Sequence, residues 1–259
     1  MAIKYYEIFF NSLKMVTKVS NKMVLQQSEP DKVIIAQQSE GKEINIFIEA
    51  PKEVFDYDKD VAFGDFANFY SVFGATGDKP EISILEANNE ANIVHVDGEY
   101  ASVDYGLSIH SLMNPGKTML PPVKDDGIVT VNITEADLKN IKQLTSSLIV
   151  SGSSSGTKLN ILKEKGSDEL KLTFKAHESV GHQFSKEFKT SINKDVEVKL
   201  VFDPLFFTWL PVNDYTFTVA TGDGIINHIK ALGIIKDGEG NEVCKQYFVA
   251  GPLKVTYVA

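Results

Sequence analysis

A chain of 259 residues with 43% hydrophobic and 24% charged side chains has an ordinary globular composition and is long enough for two domains. Its formal net charge of -9 excludes the uniformly basic surface of a dedicated nucleic-acid binder, though not a local basic face. A single cysteine, Cys244, excludes an internal disulfide, and no run approaches the roughly 20 apolar residues of a membrane span.

The opening MAIKYYEIFFNSLK is interrupted by Lys4, Glu7 and Lys14 and has no small-residue cleavage site, which argues against a signal peptide. With the lone cysteine this predicts a soluble cytoplasmic protein. The first amphipathic segment runs from Lys4 to Lys18. At about 100° per residue, Tyr6, Phe9, Phe10 and Leu13 share one side, while Lys4, Asn11, Lys14 and Lys18 share the other. Glu7 falls on the basic side, and a solvated face explains such lysines as well as a binding face does. A second segment, Asp65 to Phe73, carries no basic residue, so its aromatics read as core.

Alternating, half-buried strands are expected at Glu43 to Ile48, His95 to Ile109, Leu170 to Phe174, Val196 to Phe202 and Tyr215 to Val219. Turn signals at Glu40-Gly41, Asp97-Gly98, Lys165-Gly166, Asp237-Gly238 and Glu239-Gly240 predict antiparallel hairpins. Residues 114–127, NPGKTMLPPVKDDG, hold three of the nine prolines without periodicity and mark a boundary. It separates an amino-terminal domain, 1–113, from a carboxyl-terminal domain, 128–259, with 114–127 as connector.

The third segment, Thr134 to Ser147, repeats the first. Leu138, Ile141, Thr145 and Leu148 make one stripe and Lys139, Lys142 and Ser146 the opposite face, with Thr134 as N-cap and Asp137 three residues on. The fourth, Asp203 to Leu210, begins with Asp203-Pro204, ends at Pro211 and carries no basic residue. One helix-then-strands unit is thus used four times, and a unit that cannot bury its apolar face alone must stack on its neighbours.

Catalytic chemistry is not evident. His95, His110, His177, His182 and His228 show no metal-ligand spacing, and the carboxylates of Asp56-Tyr57-Asp58 read as solvated. Ser151 to Lys158, SGSSSGTK, lacks the glycine-lysine-serine/threonine order of a phosphate loop and reads as a hairpin loop. No nucleophile elbow is present, and nothing around Cys244 suggests an activated thiol. No enzyme activity, metal or cofactor is expected.

The order of helices, strands and connector resembles a DNA sliding clamp of the proliferating-cell-nuclear-antigen (PCNA) and T-even bacteriophage type. VFDYDKDVAFGDFANFYSVFGATGDKPEISILEANNEANIVHV resembles the second helix and following strands of the amino-terminal clamp domain, and ITEADLKNIKQLTSSL the helix opening the second domain. VKLVFDPLFFTWLP with YTFTVATGDG resembles its last helix and hairpin, and KQYFVAGPLK the strand and turn near the carboxyl terminus, though Gly-Pro-Leu stands where clamps have a simple Ala-Pro-Lys ending. The resemblance implies an α+β fold of two similar clamp domains with antiparallel sheets outside and helices inside, closing head to tail into a homotrimeric ring around double-stranded DNA without sequence preference. A DNA polymerase and a clamp loader would be its partners, in a host cytoplasm if phage-encoded.

On the same resemblance Lys4, Lys14, Lys18, Lys22, Lys139 and Lys142 would face the hole and screen phosphates. Met119, Leu120 and Val123 in the connector, with Ala250, Pro252 and Leu253 in the terminal turn, would form an apolar pocket for partner peptides. Alternatively Leu120 and Val123 pin the connector to the sheet. Strand edges at Val103, Tyr105, Leu107 and Ile109 would meet Phe184 and Phe188 of the next protomer. The rival reading is a β-rich viral structural or assembly protein with duplicated domains and no DNA role.

Overall fold

The structure is a computed structural model that describes residues 6–29, 31–39, 44–55, 57–78, 80–109, 127–149, 157–176, 182–193, 195–221, 227–251 and 254–258. The chain divides into two units, Met1–Pro121 with Ile234–Gln246, and Pro122–Gly233 with Tyr247–Ala259. The division falls within the proline-rich stretch, and the tip of the last hairpin groups with the first unit.

In the first unit, α1 (Tyr6–Leu13) and α2 (Val16–Val19) stand where the sequence predicts one segment. The chain turns at Lys14 and Met15, where the Lys14 N–H donates to the Asn11 carbonyl at 3.3 Å. Strands β1 (Met23–Glu29), β2 (Lys32–Gln38), β3 (Ile44–Pro51) and β4 (Val61–Phe63) follow and pair antiparallel in the order β3-β2-β1-β4. The alternation in β3 is complete: Ile44, Ile46, Ile48 and Ala50 are buried and the residues between them are not. Helix α3 (Phe66–Ala75) is N-capped by Asp65, whose carboxylate accepts from the Asn68 N–H at 3.1 Å.

After α3 come β5 (Glu81–Ala87), β6 (Glu90–Asp97) and β7 (Ser102–Gly106), a separate antiparallel sheet in the order β5-β6-β7. The strand expected from His95 to Ile109 is therefore two strands around the Asp97-Gly98 turn. It ends early because the Leu107 N–H makes the last bond to β6, at the Asn92 carbonyl, and the Ser108 N–H turns to the Ala62 carbonyl of β4. The β5–β6 turn places Asn88 and Asn89 at positive φ, 52° and 65°, the left-handed pair that a two-residue hairpin requires.

The second unit repeats the plan. It contains β8 (Gly127–Ile133), α4 (Glu135–Ile149), β9 (Lys158–Lys163), β10 (Glu169–Lys175), β11 (Gln183–Asn193), β12 (Val198–Phe202), α5 (Leu205–Trp209) and β13 (Tyr215–Thr221). Strands β14 (Asn227–Lys236) and β15 (Glu242–Ala250) make the last hairpin, and β16 (Lys254–Val258) follows. Pairing runs β16-β12-β9-β10-β11-β8-β13-β14, antiparallel throughout. Leu159, Ile161, Leu170, Leu172, Phe174, Leu200 and Phe202 present the buried face, against which Phe206 and Phe207 of α5 pack. Among the described residues no helix is long and apolar enough to cross a membrane.

Candidate nucleic-acid interface

The basic face of the first unit is made by what lies beneath it. Phe9, Phe10, Leu13 and Val16 are wholly buried, and the Phe10 ring sits 5.1 Å from Phe73 and 5.6 Å from Phe69 of α3. Burying that stripe leaves Asn11, Lys14 and Lys18 exposed, with Lys22 exposed just beyond α2. The Lys14 ammonium stands 5.8 Å from the centre of the Tyr70 ring, and the Tyr70 hydroxyl donates to Asn11 Oδ1 at 3.0 Å. Desolvation raises the Tyr70 hydroxyl pKa, keeping it a neutral donor. None of Lys14, Lys18 and Lys22 has a carboxylate partner among the described residues.

A buried polar group anchors the end of α1. Gln246 Nε2 donates to the Ser12 carbonyl at 3.1 Å, the Ser12 hydroxyl donates to the Phe9 carbonyl at 2.6 Å, and Cys244 Sγ lies 3.6 Å from Ser12 Oγ. These bonds satisfy carbonyls near the α1 terminus and so fix where Lys14 leaves the helix.

The second unit builds its helix face differently. Leu138, Ile141 and Thr145 of α4 are buried and Leu148 is half-buried, as the stripe predicts. The amino end is a reciprocal cap: the Asp137 N–H donates to Thr134 Oγ1 at 3.2 Å and the Thr134 N–H to Asp137 Oδ2 at 3.3 Å. Burial alone would raise the Asp137 carboxyl, but hydrogen bonds from Lys186 and Thr134 outweigh it and hold the pKa below its ordinary value. Lys139 is exposed but bonded to Glu135 at 2.5 Å, and half-buried Lys142 donates its ammonium to the Leu210 carbonyl at the end of α5. Helices α3 and α5 carry no basic residue.

The residues expected at strand edges divide. Tyr105 turns inward: its hydroxyl donates to the Asp65 carbonyl at 2.7 Å and its ring lies 5.2 Å from Phe69, so it serves the α3 cap. Val103 and Leu107 are half-buried, whereas Ile109 is 54% exposed. Phe184 is half-buried and stacked on Phe174 at 4.5 Å and 9°, and Phe188 is buried under the Lys186 ammonium. Beside Phe184, a cavity of about 410 Å³ is lined by Leu144, Ser147, Leu148, His182 and Gln183. Leu144 is 46% exposed there.

Lys4, Met119, Leu120, Val123, Pro252 and Leu253 lie outside the described residues, as do His110, His177 and most of the Ser151 to Lys158 loop. Ala250 is buried at the end of β15. Among the described residues no cluster of histidine, cysteine or carboxylate could hold a metal, and His95 instead meets Asp104 across the β6–β7 pair at 2.6 Å. The bonds of Asn11 to Tyr70 and of Lys186 to Asp137 escape sequence reasoning because both join residues far apart in the chain; only the exposed-face position of Asn11 hints at the first.

No protein-family model matches the sequence, and no curated protein matches it. Solved structures do. The chain is similar to a structure of a PCNA2-PCNA3 complex from Sulfolobus tokodaii, with 13% identity, a TM-score of 0.64, and coverage of 98% of this chain and 97% of that one. It is likewise similar to a PCNA structure from Thermococcus kodakaraensis, with 10% identity, a TM-score of 0.66, and coverage of 95% and 96%. Over nearly its whole length, the chain has the fold of a PCNA sliding clamp.

Proposed function

We propose that this protein is a sliding clamp: a non-enzymatic ring that encloses duplex DNA and tethers a replicative DNA polymerase for processive synthesis. The observation that carries the reading is the fold match, which spans 98% of this chain and 97% of a PCNA chain. The exposed Lys14, Lys18 and Lys22, on and beside α2, agree with it. A closed ring needs few phosphate contacts, because a long duplex can leave only through an opening or an end.

In this reading two clamp domains, 1–113 and 128–259, are joined by 114–127, and three protomers close head to tail. Ile109, exposed just past β7, and the apolar cavity beside Phe184 are the chemistry such a contact needs, with Leu107, Val103 and Phe188 supporting from within. Met119, Leu120 and Val123 with Ala250, Pro252 and Leu253 would receive peptides of the polymerase and of a clamp loader. A T-even phage affinity, and action in a host cytoplasm, rest on the sequence segments alone.

Topological retention tests this. The protein is threaded onto a linear duplex through one free end, the end is then blocked, and retention at raised salt is followed before and after cutting the DNA. A clamp stays until the cut and then leaves quickly. Loss at the same rate before and after cutting would contradict enclosure and favour a structural role without DNA.

A further inference from the structure

The charges on the two units are not equivalent, although their helices occupy equivalent places in the repeat. In the first unit Lys14, Lys18 and Lys22 are exposed and without carboxylate partners among the described residues, and Lys14 is steadied over Tyr70. In the second unit the lysines on and beside α4 are already engaged. Lys139 bonds to Glu135 at 2.5 Å, Lys186 bonds to Asp137, and Lys142 faces the Leu210 carbonyl.

An ammonium beside a carboxylate presents a dipole to a phosphate chain, and its field falls off faster than that of a lone cation. Moving Lys139 onto a phosphate would leave Glu135 repelling that same backbone. Lys142 is held half-buried and would have to abandon the α5 carbonyl end, where a cation is favoured. Counterion release, the main source of sequence-independent affinity, therefore comes from lysines that are not yet neutralised.

We infer that the duplex is gripped by the first unit of each protomer, through Lys14, Lys18 and Lys22, while α4 of the second unit is a nearly neutral wall in which Glu135 restrains Lys139. The inference rests on the clamp reading. It makes the track around the DNA alternate between basic and neutral arcs, and it gives Glu135 the role of a binding-tuning residue.

Fluorescence anisotropy of the full chain with a labelled blunt duplex, repeated across a salt series, reads the arrangement directly. Replacing Lys14, Lys18 and Lys22 with glutamine should flatten the plot of log affinity against log salt by about 0.9 for each phosphate that is no longer neutralised. Glu135→Gln should do the reverse, tightening binding and steepening the slope by about 0.9 for each Lys139 released. Lys139→Gln on its own should flatten the slope less than Lys18→Gln does, and thermal melts of every variant confirm folding. If Glu135→Gln leaves the slope unchanged while Lys139→Gln flattens it as much as Lys18→Gln, the alternating track is overturned and the clamp reading survives. If the unaltered protein shows no salt-dependent affinity for duplex, both fall together.

Discussion

Cys244 has no exposed surface, and its thiol is pushed up to about 11 from an ordinary 9.0, chiefly by burial, with Glu242 adding to the rise while Ser12 and Gln246 oppose it. The folded state therefore holds this proton more tightly than the unfolded chain, so the stabilisation is complete below about pH 9 and drains away as the pH climbs toward 11. The loss amounts to roughly 2 to 3 kcal/mol at its limit. Chemical denaturation at pH 8 and pH 11 should show that fall in the unaltered protein and a smaller one in Cys244→Ala. At pH 8 a disulfide reagent should modify the thiol only as fast as the protein unfolds. Rapid labelling of the native protein, or identical pH profiles for the two proteins, would refute the buried neutral thiol. Lys142 teaches a related lesson at the same scale. On a helical wheel it stands with Lys139 as one basic face, yet the structure bonds its ammonium to a carbonyl 68 residues away in sequence, a partner that no local pattern could reveal.

At the scale of elements, helix ends and turns were legible where their chemistry is local. Asp65, Thr134 and Asp203 each cap or initiate a helix within a few residues, and Gly166 and Gly240 supply positive φ in the predicted hairpin turns. The break between α1 and α2 was not legible, because the apolar stripe continues through it: Met15 and Val16 are as buried as Leu13 and no glycine or proline marks the turn. The over-long strand at His95 to Ile109 folds back on itself at Asp97-Gly98 into β6 and β7, and its end was hidden for a similar reason, since alternation persists while the partner changes at Ser108 from β6 to β4. The Asp97-Gly98 turn is also a docking point. A methyl group on Gly98 would come within 2.2 Å of the Thr76 carbonyl oxygen, and the Tyr100 N–H donates to that same oxygen at 2.9 Å. Gly98→Ala should thus lift the turn from the end of α3 and cost about 1 to 3 kcal/mol in denaturant unfolding. Full native stability in that variant would mean that the turn shifts freely and does not fasten β6–β7 to α3.

At the scale of the whole molecule, the repeat of helix and strands was readable as a pattern, and its resemblance to sliding clamps implied the fold shared with PCNA structures. The distribution of charge was not readable, because a net charge of -9 says nothing of which lysines keep their charge unpaired. Composition likewise cannot say how the tip of the last hairpin, Ile234–Gln246, groups with the first unit; that depends on pairing between segments about 200 residues apart, with Gln246 bonded to Ser12. In the proposed ring, the exposed Ile109 would meet the next protomer head to tail, and closure would turn weak phosphate contacts into long residence. Solution mass by light scattering across a concentration series tests that claim most directly. A closed ring should give a mass near three times the 28.6 kDa chain, falling on dilution toward that of one chain. A mass that stays at that of one chain throughout the series would contradict it.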